Sequence, residues 1–187
     1  MHAEASANQG AQAALYGAMR TLWADHMQWT YATVKDFFHN QDALQATLDR
    51  LLQNQADIGN AVAGFYGDEA GAKLTELLTE HIQLAVPVLT AAKDGDDAAL
   101  NSSLEDWYAN AQEIADFLTA ANPDAWPAEA TSEMMKGHID TTVAYAVDLL
   151  SGDYDKSIKD YDKAFSHMME MADALSAGII AQFPDKF

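Results

Sequence analysis

The sequence of 187 residues contains no cysteine, and this absence excludes several chemistries at once. Without a thiol the chain can form neither disulfides nor thiolate metal sites, and it has no cysteine nucleophile. Basic residues are also scarce, because 10 Lys and Arg stand against 29 Asp and Glu, for a formal net charge of −19. An acidic protein of this kind repels phosphate backbones, so we expect no nucleic-acid partner.

Long apolar runs and glycine-rich motifs are missing as well. Charged or amide residues interrupt every apolar segment before the roughly 20 residues needed to cross a bilayer, which predicts a soluble protein with no transmembrane segment. No Gly-rich loop follows a strand pattern and no serine stands in a nucleophile elbow, which excludes dinucleotide, P-loop and hydrolase sites. Residues 1–7 lack both parts of a signal peptide, but an initiator Met on a trimmed mature end would look the same, so we favour export.

The residues that are present favour helices. Ala, Leu and Met are abundant, and apolar residues recur at spacings of three and four. Short turns divide this pattern into six helices, predicted to begin near Gln12, Asp42, Asp68, Asp96, Pro127 and Asp153. Short turns between long helices make neighbours antiparallel. We therefore predict an all-α, up-and-down bundle of about six helices, built from three helical hairpins, with residues 12–187 as one domain after a flexible lead-in of residues 1–11.

One polar pattern recurs once in each predicted helix. Its members, in chain order, are His26, Asn54, His81, Asn110, His138 and His167. The intervals between them are 28, 27, 29, 28 and 29 residues, about the length of one helix and a turn. In the second helix of each hairpin an acid follows three residues later, at Asp57, Glu113 and Glu170. Antiparallel helices of similar length would place all these side chains at one height, which predicts a single polar layer in the core.

Such a layer has the ligand types with which helical bundles hold iron, manganese or zinc. The predicted metal ligands are His26, His81, His138, His167, Asp57, Glu113 and Glu170. Asn54 and Asn110 would not contact the metal but would orient a ligating imidazole or carboxylate by hydrogen bonds. Helical di-iron proteins use the reverse order, Glu-x-x-His, so the link to them is an analogy.

Copper is the alternative metal. Met134 and Met171 each lie four residues from a histidine and share its helix face, an arrangement suited to Cu(I). In an exported protein His2 could join such a site. Whichever metal is bound, we expect one or two ions per chain. An enzyme with such a site would use oxygen or peroxide at a dinuclear centre, but the pattern does not separate catalysis from storage or sensing.

A core without metal explains the same pattern. Buried polar groups are costly unless they find partners, so the histidines and acids could pair with one another or line a chamber for a small ligand. Four tryptophans could contribute to such a chamber, although core packing is their more common role. They are Trp23, Trp29, Trp107 and Trp126. Both readings, metal site and self-satisfied polar core, stay open at this point.

Several strings of the sequence carry a family resemblance. They are Leu22-Trp-Ala-Asp-His26, Asn54-Gln-Ala-Asp57-Ile58, Trp107-Tyr-Ala-Asn110-Ala-Gln-Glu113-Ile114 and the segment from Met171 to Phe187. On these motifs the chain resembles a family of small, uncharacterised bacterial helical proteins, and the likeness covers nearly everything after the lead-in. The resemblance implies an all-helical fold and supplies no mechanism.

Overall fold

The structure is a computed structural model that describes residues 2–187, with side chains from residue 8 onward. Six long helices follow one another, and a short 3₁₀ helix, Pro184–Lys186, comes after the last. The six are α1 His2–His39, α2 Gln41–Tyr66, α3 Asp68–Asp94, α4 Asp97–Ala121, α5 Ala128–Ser151 and α6 Tyr154–Gln182. Each helix packs along the next, and α6 returns to α1, so the bundle closes into a ring. The predicted all-α, up-and-down bundle is confirmed.

Five of the six helices begin within one residue of the predicted start. Gly67, Gly95 and Gly152 follow α2, α3 and α5 with φ values of 90°, 69° and 78°, a region that glycine adopts without a Cβ clash. The Asp96 and Asp153 carboxylates accept hydrogen bonds from backbone N–H groups in the first turns of α4 and α6. These caps satisfy donors that have no partner inside the helix.

The first helix is longer than the sequence indicates. It begins at His2 rather than near Gln12, so helical backbone extends over most of the predicted lead-in. Small and polar residues with good helix propensity, mainly Ala and Gln, explain why the helix continues without an apolar stripe. Met1 and the side chains of residues 1–7, including the suggested copper ligand His2, lie outside the described residues.

The odd-numbered helices α1, α3 and α5 also contact one another across the inside of the ring. They run in the same direction, because one antiparallel helix separates each from the next. The core lies along this inner axis, where Met27, Ile58 and Ile139 are each 0% exposed. The predicted histidine of every odd helix therefore faces a shared interior space. Among the described residues, no helix is long and apolar enough to cross a membrane.

Candidate functional site

Three of the predicted histidines meet on the axis of the bundle. His26 of α1, His81 of α3 and His138 of α5 are 1%, 2% and 3% exposed. The ring centroid of His138 lies 5.5 Å from that of each of the other two. Trp23 packs edge-on against His26 at 5.7 Å, and Trp107 lies 5.3 Å from His81. We call these three imidazoles the histidine cluster.

The predicted polar residue of each even helix binds the backbone beside this cluster. In every hairpin its side chain donates to the carbonyl oxygen four residues before the histidine. The pairs are Asn54 to Leu22 at 2.9 Å, Asn110 to Leu77 at 3.2 Å and His167 to Met134 at 2.9 Å. Each of these carbonyls already accepts a backbone hydrogen bond within its own helix. The additional bond from the neighbouring helix fixes the register of the two helices at the level of the cluster.

The hydrogen bonds of Asn110 determine the tautomer of His81. Because the amide nitrogen of Asn110 donates to Leu77, its oxygen Oδ1 must be the atom 2.9 Å from His81 Nδ1. An amide oxygen only accepts, so Nδ1 of His81 carries the proton and Nε2 carries a lone pair. That Nε2 is buried and has no hydrogen-bond partner among the described residues. His81 is thus a preoriented, unused acceptor.

The other two imidazoles are held more loosely. The Gln55 amide nitrogen lies 3.4 Å from His26 Nδ1 and donates a shorter bond, 2.7 Å, to the Leu51 carbonyl. Within the described residues, Nδ1 of His138 has no partner. In the cluster, therefore, an amide holds His81, a long contact holds His26, and no amide holds His138 among the described residues.

All three imidazoles are neutral at physiological pH. Burial, reinforced by the neighbouring His81, lowers the pKa of His26 to about 3, and burial lowers the pKa of His81 to about 4 against the opposing Asn110 bond. Burial and the adjacent histidines hold the pKa of His138 well below its ordinary value of 6.5. Neutral imidazoles can accept hydrogen bonds or ligate a metal.

The predicted carboxylates do not reach the cluster. The Asp57 side chain is 38% exposed, accepts a bond from Gln53 at 3.0 Å and faces Arg50 at 3.9 Å. Glu113 and Glu170 are exposed. The even helices lie on the outside of the ring, so their inward residue contacts the neighbouring odd helix, and the acid one turn later lies at the solvent edge of that contact.

His167 is also separate from the cluster. It is half-buried, and its ring lies against Gly137, where an added Cβ would be 3.0 Å from the imidazole. Of the seven predicted metal ligands the structure therefore brings three together. In the described part of the chain, no group of three or more His, Asp or Glu side chains is arranged to hold a metal ion.

An apolar cavity of about 180 Å³ extends from the histidine cluster toward the end of the bundle where the odd helices finish. Helices α1 to α5 contribute its walls, mostly aliphatic and phenylalanine side chains, together with Trp107. No Lys, Arg, Asp or Glu is among the described residues that line it. Val86 and Val147 are part of the lining and are 41% and 52% exposed, so the wall of the cavity reaches the protein surface at these two residues.

Four residues that line this cavity bury a polar atom without a hydrogen-bond partner among the described residues. The atoms are His81 Nε2, His138 Nδ1, Thr33 Oγ1 and Thr142 Oγ1. Each such atom costs on the order of 1–3 kcal/mol. Sequence reasoning missed the two threonines as site residues, although Thr33 lies seven residues after His26 and Thr142 four after His138, spacings that share a helix face.

The methionines and the remaining tryptophans lie elsewhere. Met171 is 2% exposed and lines a separate void of about 20 Å³ with Trp23 and Trp126, while Met134 is half-buried beside the core. Trp29 is half-buried with Arg50 stacked over its ring at 5.4 Å. Only Trp107 of the four tryptophans lines the cavity in the described structure.

No family model, no curated protein and no solved structure matches the chain. The resemblance to small bacterial helical proteins therefore stays a prediction, and the function must be argued from the site itself.

Proposed function

We propose that the protein binds a small, mostly apolar molecule in the axial cavity, with its polar group against the histidine cluster. One observation carries this proposal: unpartnered polar atoms of His81, His138, Thr33 and Thr142 belong to residues around one apolar cavity. Ligand pockets typically combine apolar walls with a few convergent polar groups. Small rotations of these side chains would direct their free atoms at a bound molecule.

The volume limits the size of the ligand. An apolar cavity of about 150 Å³ in a helical protein holds benzene. The axial cavity, at about 180 Å³, has space for one six-membered ring and a small substituent. Because Val86 and Val147 line the cavity and are also exposed, its wall is thin at these residues, and we infer that a ligand enters there.

Toluene is the probe for this proposal, because it matches the size of the cavity and needs no hydrogen bond. We expect it to raise the melting temperature, since a ligand at a hundredfold excess over Kd stabilises the folded state by about 2.7 kcal/mol. Replacing Ala146, which lines the cavity and is 6% exposed, by Leu should abolish this effect by filling the space.

The matched control is Ala120→Leu, the same change at an exposed position of α4 that does not line the cavity. This variant should bind toluene as the unaltered protein does. Binding that survives Ala146→Leu, or no binding to the unaltered protein measured by calorimetry, would exclude the proposal.

A transition-metal ion held by the histidine cluster is the second candidate. The bond from His81 Nδ1 to Asn110 favours it, because histidines that bind metals commonly donate their second nitrogen in this way. With only imidazoles nearby, zinc or copper suits the cluster better than iron or manganese, which prefer added carboxylates. The rings would have to rotate, because their present arrangement does not converge on one point.

Elemental analysis of protein purified without a His tag or chelating column tests the metal. We expect one zinc or copper per chain, with a chelator-sensitive melting temperature that His138→Gln reduces. His167→Gln is the matched control, because that imidazole already donates to the Met134 carbonyl. Metal-free protein whose melting temperature does not respond to added zinc or copper would eliminate this candidate.

A further inference from the structure

We infer that the ligand of the axial cavity is a neutral molecule with one ring and one hydrogen-bond donor, of the phenol class. This inference rests on the proposed function and narrows it. Its starting point is the tautomer of His81: Nδ1 donates to Asn110, so the unpartnered Nε2 is an acceptor. An organic ligand satisfies that atom only if it brings an O–H or N–H group.

Charge excludes an anionic ligand. Among the described residues, none that line the cavity carries a positive charge, and the three imidazoles are neutral. The C-terminal ends of α1, α3 and α5 surround the outer part of the cavity, where Phe38, Ala92 and Leu150 line it. The first turns of α2 and α4 line the same end, at Leu44 and Leu100, so the opposite helix dipoles largely offset one another there. The net charge of −19 and the lack of a cation among the described lining residues disfavour an anion.

The walls favour a flat ring. Phe37, Phe38 and Trp107 contribute aromatic surfaces, and aliphatic side chains make up most of the remaining lining. Aromatic rings stack or meet edge-on with such surfaces, which gives a ring an advantage over a flexible chain of equal volume. A flexible ligand would also lose more conformational freedom than a ring when it enters the cavity. A phenol combines the ring, the neutral state at pH 7 and a single strong donor.

Calorimetric titration of the full chain with phenol, toluene and benzoate tests this inference at pH 7. In a cavity that lacks an acceptor, phenol gives up its bond to water without replacement and binds about 5- to 150-fold more weakly than toluene. We expect phenol to bind here at least as tightly as toluene, and benzoate not to bind. The acceptor of His81 is the reason for the difference.

Each outcome has a distinct meaning. Toluene binding with phenol at least fivefold weaker overturns the inference and leaves the proposed function standing. Benzoate binding as tightly as phenol overturns the requirement for a neutral ligand. Absence of binding by all three probes overturns the inference together with the proposed function.

A variant separates His81 from the rest of the lining. His81→Leu, of similar volume, should lower the ratio of phenol to toluene affinity by about 5- to 150-fold, whereas His167→Leu, remote from the cavity, should leave the ratio unchanged. If His81→Leu does not fold, nitrogen NMR of the unaltered protein gives the same information. The His81 Nε2 resonance should move upfield on addition of phenol and stay in place with toluene, and an unmoved resonance with bound phenol refutes the assignment of this acceptor.

Discussion

Acid should destabilise this protein through the histidine cluster. In the unfolded chain a histidine has a pKa near 6.5 and takes up a proton as the pH falls below that value. In the folded state burial lowers the pKa of His26 to about 3 and of His81 to about 4, and holds that of His138 well below the ordinary value. The free energy of unfolding is therefore at its full value above pH 6.5 and falls as the pH drops toward the pKa values of the folded state.

The magnitude follows from the gap between the two states. At pH 5 an unfolded histidine is almost fully protonated, whereas the buried histidines stay neutral. Since pH 5 lies about 1.5 units below the unfolded pKa, each buried histidine lowers the free energy of unfolding by about 1.5 times 1.36 kcal/mol, or about 2 kcal/mol. For His26 and His81 together the loss is about 4 kcal/mol, a large part of the roughly 5–15 kcal/mol that stabilises an ordinary domain. His138, whose pKa is also lowered, adds to the loss in the same direction. Protonation also relieves repulsion in a chain of net charge −19, and this contribution cancels when variants are compared at the same pH.

Urea unfolding followed by circular dichroism at pH 7.5, 6.5, 5.75 and 5 isolates the histidines by comparison of variants. His138→Gln removes one titrating group, so the unfolding free energy should depend less steeply on pH. Between pH 6 and 5 its slope should fall by about 1.4 kcal/mol per pH unit, which corresponds to about one proton. Ile139→Val, a destabilising change at the adjacent buried position, removes no titrating group and should give a curve parallel to that of the unaltered protein. Parallel curves for all three proteins would refute the reasoning.

Three further outcomes are expected. Gly59→Ala should lower the urea midpoint, because the added Cβ would lie 2.6 Å from the Gly71 carbonyl oxygen between α2 and α3; a neutral effect would contradict that close approach. Asn110→Ala should cost about 1–3 kcal/mol in the same assay, since His81 Nδ1 would lose its acceptor, and an unchanged midpoint would deny that bond. Replacing Met134 and Met171 by Leu should cost less than about 1.5 kcal/mol for each substitution and leave copper uptake unchanged. Lost uptake would restore the methionines as ligands.

The fold and the histidine cluster could both be predicted from local pattern. Glycines at turns and aspartates at caps determine where five of the six helices begin or end, and these signals act within a few residues. His26, His81 and His138 share the apolar stripe of their helices, so periodicity alone directs them inward. The start of α1 was predicted less well, because no cap or turn marks the position of His2 in the sequence.

The position of the carboxylates could not be predicted in the same way. Asp57 lies three residues after Asn54, so the two are about 60° apart around the helix axis and on roughly the same side of the helix. On a helix at the outside of the ring, this angle is enough to bury Asn54 and leave Asp57 at the solvent edge. Which helices are inner and which outer is a tertiary property of six packed elements. The cavity escaped prediction for the same reason, since its volume depends on side chains from five helices.

A difference between the hairpins explains why His138 is free to reorient toward a ligand, whereas His81 is held in place by Asn110. In the second hairpin Asn110 both donates to the backbone and accepts from His81, so the amide satisfies two groups at once. In the third hairpin the corresponding residue is His167, whose Nε2 is occupied by the Met134 carbonyl, and Nδ1 of His138 is left without a partner in the described structure. His138 contacts both other rings and, among the described residues, has no amide partner. A bound molecule can therefore form a hydrogen bond with it at little cost in existing hydrogen bonds.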